Sequence, residues 1–200
     1  MQKELTYMTK EIDFYFDFIS PYTYLAHKKI QSLPKNIKIN YKPILLGGLH
    51  NLEGITPPAF IKLKLKNMIN DCELIAKKNG FAFTWNVKFP LNSLNIMRGY
   101  LYIDSEIKNK YINIMFDAYW KNNLNLTNEE TLSTILKTCK IDSNNFLKAI
   151  KDPIIKNKLK DATNEAREKG VFGAPTFIIN KKVFWGQDRL IYALDEYKNV

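Results

Sequence analysis

The sequence predicts an α/β protein in which a strand–helix–strand unit and a strand–strand–helix unit are separated by a long helical segment. Strand patterns are confined to the two ends of the chain, helical periodicity fills the middle, and glycine and proline clusters mark the transitions between them. A chain of 200 residues with 46% hydrophobic residues is long enough to bury a core without disulfides or metal. We therefore expect one compact unit that carries an insertion.

The first unit covers residues 12–41. Residues 12–18 are rich in β-forming side chains and predict a strand. Ser20 and Pro21 follow as an N-cap and a first-turn proline, and the helical spacing of apolar residues then continues until Pro34. Residues 37–41 alternate apolar and polar side chains, which predicts a second strand. Strand, helix and strand of these lengths predict a parallel βαβ unit with a right-handed crossover.

The middle of the chain predicts a helical bundle. Residues 43–58 contain three glycines and two adjacent prolines, so we expect a long irregular connection there. Residues 59–170 then carry almost only helical signals. They predict a helix that ends at Asn79-Gly80, one capped by Asn92-Ser93, one over residues 111–120, one with a capping box formed by Thr127 and Glu130, and one that begins at Asp152-Pro153.

Strand patterns return after Gly170. Residues 175–179 and 183–185 predict an antiparallel hairpin around a short turn, and residues 188–197 predict a closing helix. A βαβ unit followed by ββα is the arrangement of the thioredoxin fold. We therefore predict a thioredoxin-like domain from residues 12–45 and 170–198, with an inserted helical domain at residues 46–169.

Composition argues against several classes of function. The net charge of +10 comes almost wholly from scattered lysines with only three arginines, which is typical of a solvated surface and predicts no nucleic-acid partner. No apolar run approaches the ~20 residues that a membrane span requires, so we expect no membrane segment. Residues 1–5 lack the apolar core of a secretory signal, and we expect a cytoplasmic protein.

The cysteines and histidines give no sign of a metal or dithiol site. Cys72 and Cys139 lie far apart and lack CxxC or zinc-ligand spacing, so we predict no metal and two inert thiols packed on helices. His27 and His50 have no partner at a useful spacing. We expect each to be a surface or loop residue.

Two positions of this fold concentrate function, and both carry distinctive residues. Ser20 stands at the start of the first helix, where its hydroxyl and the helix dipole could stabilise a ligand's thiolate, although an N-cap role also explains it. Pro175 precedes the third strand, where a cis-proline exposes the preceding backbone to a peptide-like ligand, although a simple turn is the alternative. Gln187 and Asp188 begin the last helix and suit an α-carboxylate and an α-amino group, although Asp188 could be only an N-cap.

Four segments together resemble the 2-hydroxychromene-2-carboxylate isomerase family, which is related to kappa-class glutathione transferases and to the DsbA-like thioredoxin branch. These segments are residues 16–26 (FDFISPYTYLA), 89–94 (FPLNSL), 170–177 (GVFGAPTF) and 184–189 (FWGQDR). The chain departs from the family at residues 54–58 (GITPP), where many members have GNKPP, so that Ile55 replaces the usual asparagine.

The resemblance implies a glutathione-dependent isomerase, commonly a homodimer, that acts on a small aromatic or conjugated carboxylate. Ser20 would hold the glutathione sulfur, and the Ala174 backbone before cis-Pro175 would pair with the cysteinyl part. The γ-glutamyl end would be bound by Gly186, Gln187 and Asp188, and Trp185 would also contact glutathione. Asn92 would face the second substrate, with a role at the helix N-terminus as the alternative. The rival class is a redox-silent, DsbA-like module that binds peptides at the cis-proline face.

Overall fold

A computed structural model describes residues 10–199 and shows a four-stranded mixed sheet of order β2-β1-β3-β4. The strands are β1 (Ile12–Phe16), β2 (Ile39–Pro43), β3 (Thr176–Ile179) and β4 (Lys182–Trp185). Strands β1 and β2 are parallel, whereas β3 runs antiparallel to both β1 and β4. This is the predicted α/β thioredoxin arrangement. Residues 1–5, on which the expectation of a cytoplasmic protein depends, lie outside the described residues.

The first unit has the predicted strand–helix–strand order with shifted boundaries. Strand β1 ends at Phe16, two residues before the predicted end, and the first helix ends at Gln31, before Pro34. Helix α1 (Pro21–Gln31) begins after Ser20, which is the N-cap. Strand β2 starts two residues later than expected, because the Ile37 N–H donates to the Pro34 carbonyl at 3.0 Å in a turn. Pairing with β1 then begins where Ile39 lies opposite Ile12.

Seven α-helices occupy the described chain between β2 and β3. They are α2 (Leu46–Glu53), α3 (Lys62–Asn79), α4 (Leu94–Tyr102), α5 (Ser105–Trp120), α6 (Glu129–Thr138), α7 (Ser143–Ala149) and α8 (Pro153–Glu168). The predicted helix end at Gly80 is confirmed, and Gly80 has the left-handed conformation. The predicted N-cap at Asp152 is also confirmed. No helix among residues 10–199 is long and apolar enough to cross a membrane.

Four features of this segment differ from the prediction. The expected irregular connection contains α2, because burial of Leu49 on one face stabilises a helix that Gly47 and Gly48 alone disfavour. The expected capping box does not form, since the Asn128 side chain accepts from the Thr131 N–H at 2.8 Å and makes Asn128 the N-cap of α6. The short helix α7 was not predicted at all, and α5 begins at Ser105, six residues before the predicted start.

The C-terminal unit closes the sheet. Asn180 and Lys181 both have positive φ angles, 54° and 63°, which gives the hairpin the tight turn that matches the twist of β3 and β4. A 3₁₀ turn at Gln187–Arg189 then precedes helix α9 (Leu190–Lys198). The predicted helix start at Asp188 is therefore two residues too early for the α-helix.

The sheet has an apolar cluster on each face. Phe14, Phe16 and Phe177 pack on one face in a large core that also contains residues of α1, α3 to α7 and α9. Tyr15 points to the other face and packs with Leu49 of α2 and Ala166 of α8. Because the large core joins the sheet to helices of the inserted segment without interruption, domain limits at residues 45/46 and 169/170 stay a prediction.

Candidate functional site

Ser20 joins the N-terminus of α1 to the loop before β3. Its hydroxyl donates a hydrogen bond to the Ala174 carbonyl at 2.9 Å and accepts one from the Thr23 N–H at 3.2 Å. The residue is only 5% exposed. Ser20 is therefore an N-cap, which was one of its two predicted roles. It also contacts the loop before β3, the second predicted functional position, and a cap alone would not require that contact. The positive end of the helix dipole lies at the same place.

Three successive carbonyl groups of the loop before β3 are paired. The Ala174–Pro175 bond is cis, as predicted. The Gly173 carbonyl accepts from the Thr176 hydroxyl at 2.7 Å, the Ala174 carbonyl accepts from Ser20, and the Pro175 carbonyl accepts from the Gly186 N–H at 2.9 Å. Two of these three donors are side-chain hydroxyls. The Thr176 hydroxyl bonds within its own segment, whereas the Ser20 hydroxyl comes from the N-terminus of α1.

Asp17 fixes the segment that carries Ser20, and the sequence reasoning assigned it no role. Its carboxylate is fully buried and accepts from the Ile19 N–H at 3.1 Å and from the Leu46 N–H at 2.8 Å, and the Ser93 hydroxyl also bonds to it. Burial raises the pKa of Asp17, while these donors oppose that rise. One side chain thus ties together the β1–α1 loop, the start of α2 and the start of α4. The sequence signal was an aspartate between two phenylalanines at a strand end.

The inserted helices also hold this loop in place. The Trp120 indole N–H of α5 donates to the Phe18 carbonyl at 2.9 Å. Phe18 itself packs on Phe116 with ring centroids 4.7 Å apart. The position of Ser20 is therefore set by residues from the insertion as well as by the sheet.

A second polar group lies where β4 meets the 3₁₀ turn. The Lys29 ammonium on α1 donates to the Gln187 side-chain oxygen. Burial lowers the pKa of Lys29, and the negative charge of Asp188 opposes that change. Gly186 has a φ of 115°, and an added Cβ would lie 2.7 Å from the Asp188 Oδ1. This turn therefore requires glycine. It places two cations near the Asp188 carboxylate: Arg189, whose Nη1 lies 3.6 Å from the Asp188 Oδ2, and Lys29. Lys29 was missed because nothing in the sequence distinguishes it from the other lysines.

Two aromatic side chains flank the loop before β3. Trp185 is 54% exposed and Phe172 is 42% exposed, and their ring centroids are 4.9 Å apart. A Cβ on Gly173 would lie 2.6 Å from the Trp185 Nε1, so the indole packs directly on the backbone there. The pair forms an exposed apolar surface beside the site. Phe172 was quoted within a motif but was not predicted to be a site residue.

Asn92 lies at the start of α4, and its contacts fit the alternative role at the helix N-terminus. It is exposed, and its side-chain oxygen accepts from the Leu94 N–H at 3.2 Å. The next residue, Ser93, contacts Asp17. Asn92 is thus linked to the Ser20 loop through its neighbour, and a contact with a second substrate stays a prediction.

Both cysteines are buried and free, as predicted, and burial raises the pKa of each thiol. The prediction for the histidines was wrong. His27 is buried on α1, where its Nε2–H donates to the Asn113 side-chain oxygen at 2.6 Å and its Nδ1 accepts from the Tyr41 hydroxyl at 2.8 Å, and burial lowers its pKa to about 4. His50 is buried on α2. Within residues 10–199, no group of three or more His, Cys, Asp or Glu could hold a metal ion.

The family comparison matches almost the whole chain. Residues 11–198 match the profile of the DsbA-like thioredoxin domain. A solved structure titled 2-hydroxychromene-2-carboxylate isomerase superposes with a TM-score of 0.86 and 26% identity, and the match covers 94% of each chain.

Curated relatives are similar along most of their length. The chain is 28% identical over 194 residues to a 2-hydroxychromene-2-carboxylate isomerase of Sphingobium xenophagum, covering 95% of this chain and 98% of the relative. It is 25% identical over 195 residues to a glutathione S-transferase kappa 1 of Caenorhabditis elegans, covering 89% of this chain and 86% of the relative.

Proposed function

Because the chain belongs to the DsbA-like thioredoxin domain family, we propose that it is a glutathione-dependent isomerase or transferase in which Ser20 stabilises the glutathione thiolate. The names of its relatives support the reaction class at the level of the family. The observation that carries the assignment of the residue is the 2.9 Å hydrogen bond between the Ser20 hydroxyl and the Ala174 carbonyl. It brings a rotatable O–H donor to the backbone group that would pair with a cysteinyl ligand.

Binding would exchange one hydrogen bond for two. A cysteinyl N–H that donates to the Ala174 carbonyl displaces the Ser20 hydroxyl, whose proton then turns toward the ligand sulfur. Ser20 still accepts from the Thr23 N–H at 3.2 Å, so its oxygen stays fixed while its hydrogen moves. A donated hydrogen bond and the dipole of α1 both favour the charged thiolate and lower the pKa of the bound thiol.

The γ-glutamyl end would be recognised at the turn after β4. The Lys29 ammonium can bind a carboxylate, the exposed Asp188 carboxylate can bind an α-ammonium group, and the Gln187 side chain can hydrogen-bond with either. Gly186 has no side chain, so a ligand can approach its backbone closely, and any side chain there would meet Asp188. The Trp185 indole would cover the apolar part of the ligand.

The reaction that fits this site is reversible nucleophilic catalysis by a bound thiolate. The thiolate adds to a conjugated double bond of the substrate, which forms a C–S bond, moves the π electron pair into the conjugated acceptor group and leaves a single C–C bond free to rotate. Elimination then breaks the C–S bond, restores the double bond in its other configuration and returns the thiolate. By resemblance to the 2-hydroxychromene-2-carboxylate isomerase family, the substrate is a small aromatic or conjugated carboxylate, with Asn92 as a candidate contact, and the active form is a homodimer.

Calorimetric titration with glutathione tests the proposal. We expect wild type to bind glutathione, the Ser20→Ala variant to bind it more weakly, and both to bind S-methylglutathione alike, because that ligand has no ionisable thiol. Ser32→Ala is the matched control, since Ser32 caps the opposite end of the same helix. Absence of glutathione binding by wild type, together with binding of unrelated extended peptides, would instead favour the redox-silent peptide-binding module.

A further inference from the structure

A cavity of about 410 Å³ lies between α2, α4 and α8, apart from the Ser20 site. Ligand pockets in proteins usually have volumes of roughly 300–1,000 Å³. Four leucines form most of its apolar wall, one before α2 and one on each of the three helices: Leu45, Leu52, Leu94 and Leu159. Ser20 and the loop before β3 do not line it. We call this space the α2–α4–α8 cavity.

The charged groups of this cavity all have the same sign. Arg98 of α4 and the exposed Lys156 and Lys160 of α8 line it, and no aspartate or glutamate does so. The two lysines are four residues apart and therefore share one helix face, where like charges repel each other. Within residues 10–199, the ion pairs formed include none of these three cations. An apolar wall with three uncompensated positive charges favours a ligand that carries a negative one.

Arg98 has an unused donor at this place. Its Nη1 donates to the Ile150 carbonyl at 3.4 Å, but its buried Nε has no hydrogen-bond partner. A buried donor without an acceptor costs free energy that a bound carboxylate would remove. Arginine also presents its donors as a planar fork that matches a carboxylate.

We propose that the α2–α4–α8 cavity binds an amphipathic monocarboxylate, whose carboxylate accepts hydrogen bonds from Arg98 and whose apolar body lies against the leucines. Lys156 and Lys160 at the exposed side add attraction and steer the anion inward. The inference does not depend on the role of Ser20, because neither Ser20 nor the loop before β3 lines the cavity. The carboxylate could be the reacting substrate or a ligand that binds without reacting.

The test uses 2-naphthoate as a probe, titrated calorimetrically into the full chain. We expect Arg98→Met to raise the Kd at least about tenfold, equivalent to about 1.4 kcal/mol, and Lys156→Gln/Lys160→Gln to raise it several-fold. Lys158→Gln is the matched control, because Lys158 is exposed on the same helix but does not line the cavity. The neutral analogue 2-naphthalenemethanol should bind much more weakly to wild type.

The proposal is wrong if 2-naphthoate does not bind to wild type. It is also wrong if both Arg98→Met and the lysine double variant bind 2-naphthoate with the Kd of wild type, or if wild type binds the neutral analogue as tightly as 2-naphthoate. The lysine double variant changes only exposed side chains, so it gives an answer even if Arg98→Met does not fold. Repeating the titration with saturating S-methylglutathione distinguishes a reacting substrate from a ligand that binds without reacting. A changed Kd indicates a ligand of the glutathione-dependent reaction, and an unchanged Kd indicates a separate ligand.

Discussion

Substituting Gly99 of α4 with alanine should destabilise the protein, although helix propensity alone predicts the opposite. Alanine in a helix interior is favoured over glycine by about 1 kcal/mol. In the structure, however, a Cβ at Gly99 would lie 2.1 Å from the Phe146 Cζ and 2.6 Å from the Tyr111 hydroxyl oxygen. Both aromatic residues are fully buried, so neither can move into solvent.

The expected cost can be worked from these contacts. Overpacking a close-packed core costs about 2 kcal/mol. Displacing Tyr111 also weakens the 2.8 Å hydrogen bond that its hydroxyl donates to the Ile96 carbonyl, which adds about 1 kcal/mol. After the gain of about 1 kcal/mol in helix propensity, Gly99→Ala should lower the free energy of unfolding by about 2 kcal/mol.

Urea unfolding followed by circular dichroism measures this difference. The control is the Phe146→Leu background, because it removes the atoms nearest to the new Cβ. In that background Gly99→Ala should lower the free energy of unfolding by at least about 1 kcal/mol less than it does in wild type, which is the scale of typical couplings between contacting residues. If Gly99→Ala is as stable as wild type, or more stable, the packing of α4 against α5 and α7 described here is wrong.

Three further outcomes follow from the site and its surroundings. Burial lowers the pKa of His27 to about 4, so its neutral form contributes stability that is present above pH ~6.5. About 3 kcal/mol of the free energy of unfolding should be lost as the pH falls from there toward 4. Unfolding at several pH values should show a smaller loss in His27→Gln than in wild type. Gly173→Ala should displace the half-exposed Trp185 indole with little effect on stability, so calorimetry should show weaker glutathione binding and fluorescence a changed indole environment. Ser20→Ala loses an N-cap and leaves a backbone carbonyl unpaired, and thermal or urea unfolding should show a loss of about 2 kcal/mol; a loss below 0.5 kcal/mol would contradict the hydrogen bonds assigned to this hydroxyl.

The sequence predicted those parts of the fold that depend on local signals. Ser20-Pro21, Gly80 and Asp152-Pro153 marked helix ends because capping and chain reversal depend on a few neighbouring residues. Helix α2 could not be predicted in this way, because its stability depends on burial of Leu49 against α8, more than a hundred residues away. The same reason explains His27, whose partners Tyr41 and Asn113 come from β2 and α5.

The candidate site shows the same division. The prediction that Ser20 and Pro175 lie together followed from the fold class, and the 2.9 Å contact with Ala174 agrees with it. Lys29 reaches Gln187 only through the packing of α1 against the turn after β4, and no spacing in the sequence indicates that contact. Asp17 lay inside a quoted motif, but its role became visible only when Leu46 and Ser93 were found as its partners.

The pKa of the glutathione thiol in its complex with the protein tests the central claim most directly. Thiolate absorbance, followed against pH with ligand saturating, should give a pKa below that of a free thiol for wild type and for the Ser32→Ala control. In Ser20→Ala the pKa should rise by roughly one to two units, because a hydrogen bond to a charged group contributes ~1.5–3 kcal/mol and one unit corresponds to about 1.36 kcal/mol. Equal titration of wild type and a folded, saturated Ser20→Ala variant would show that Ser20 is a helix cap and holds no thiolate.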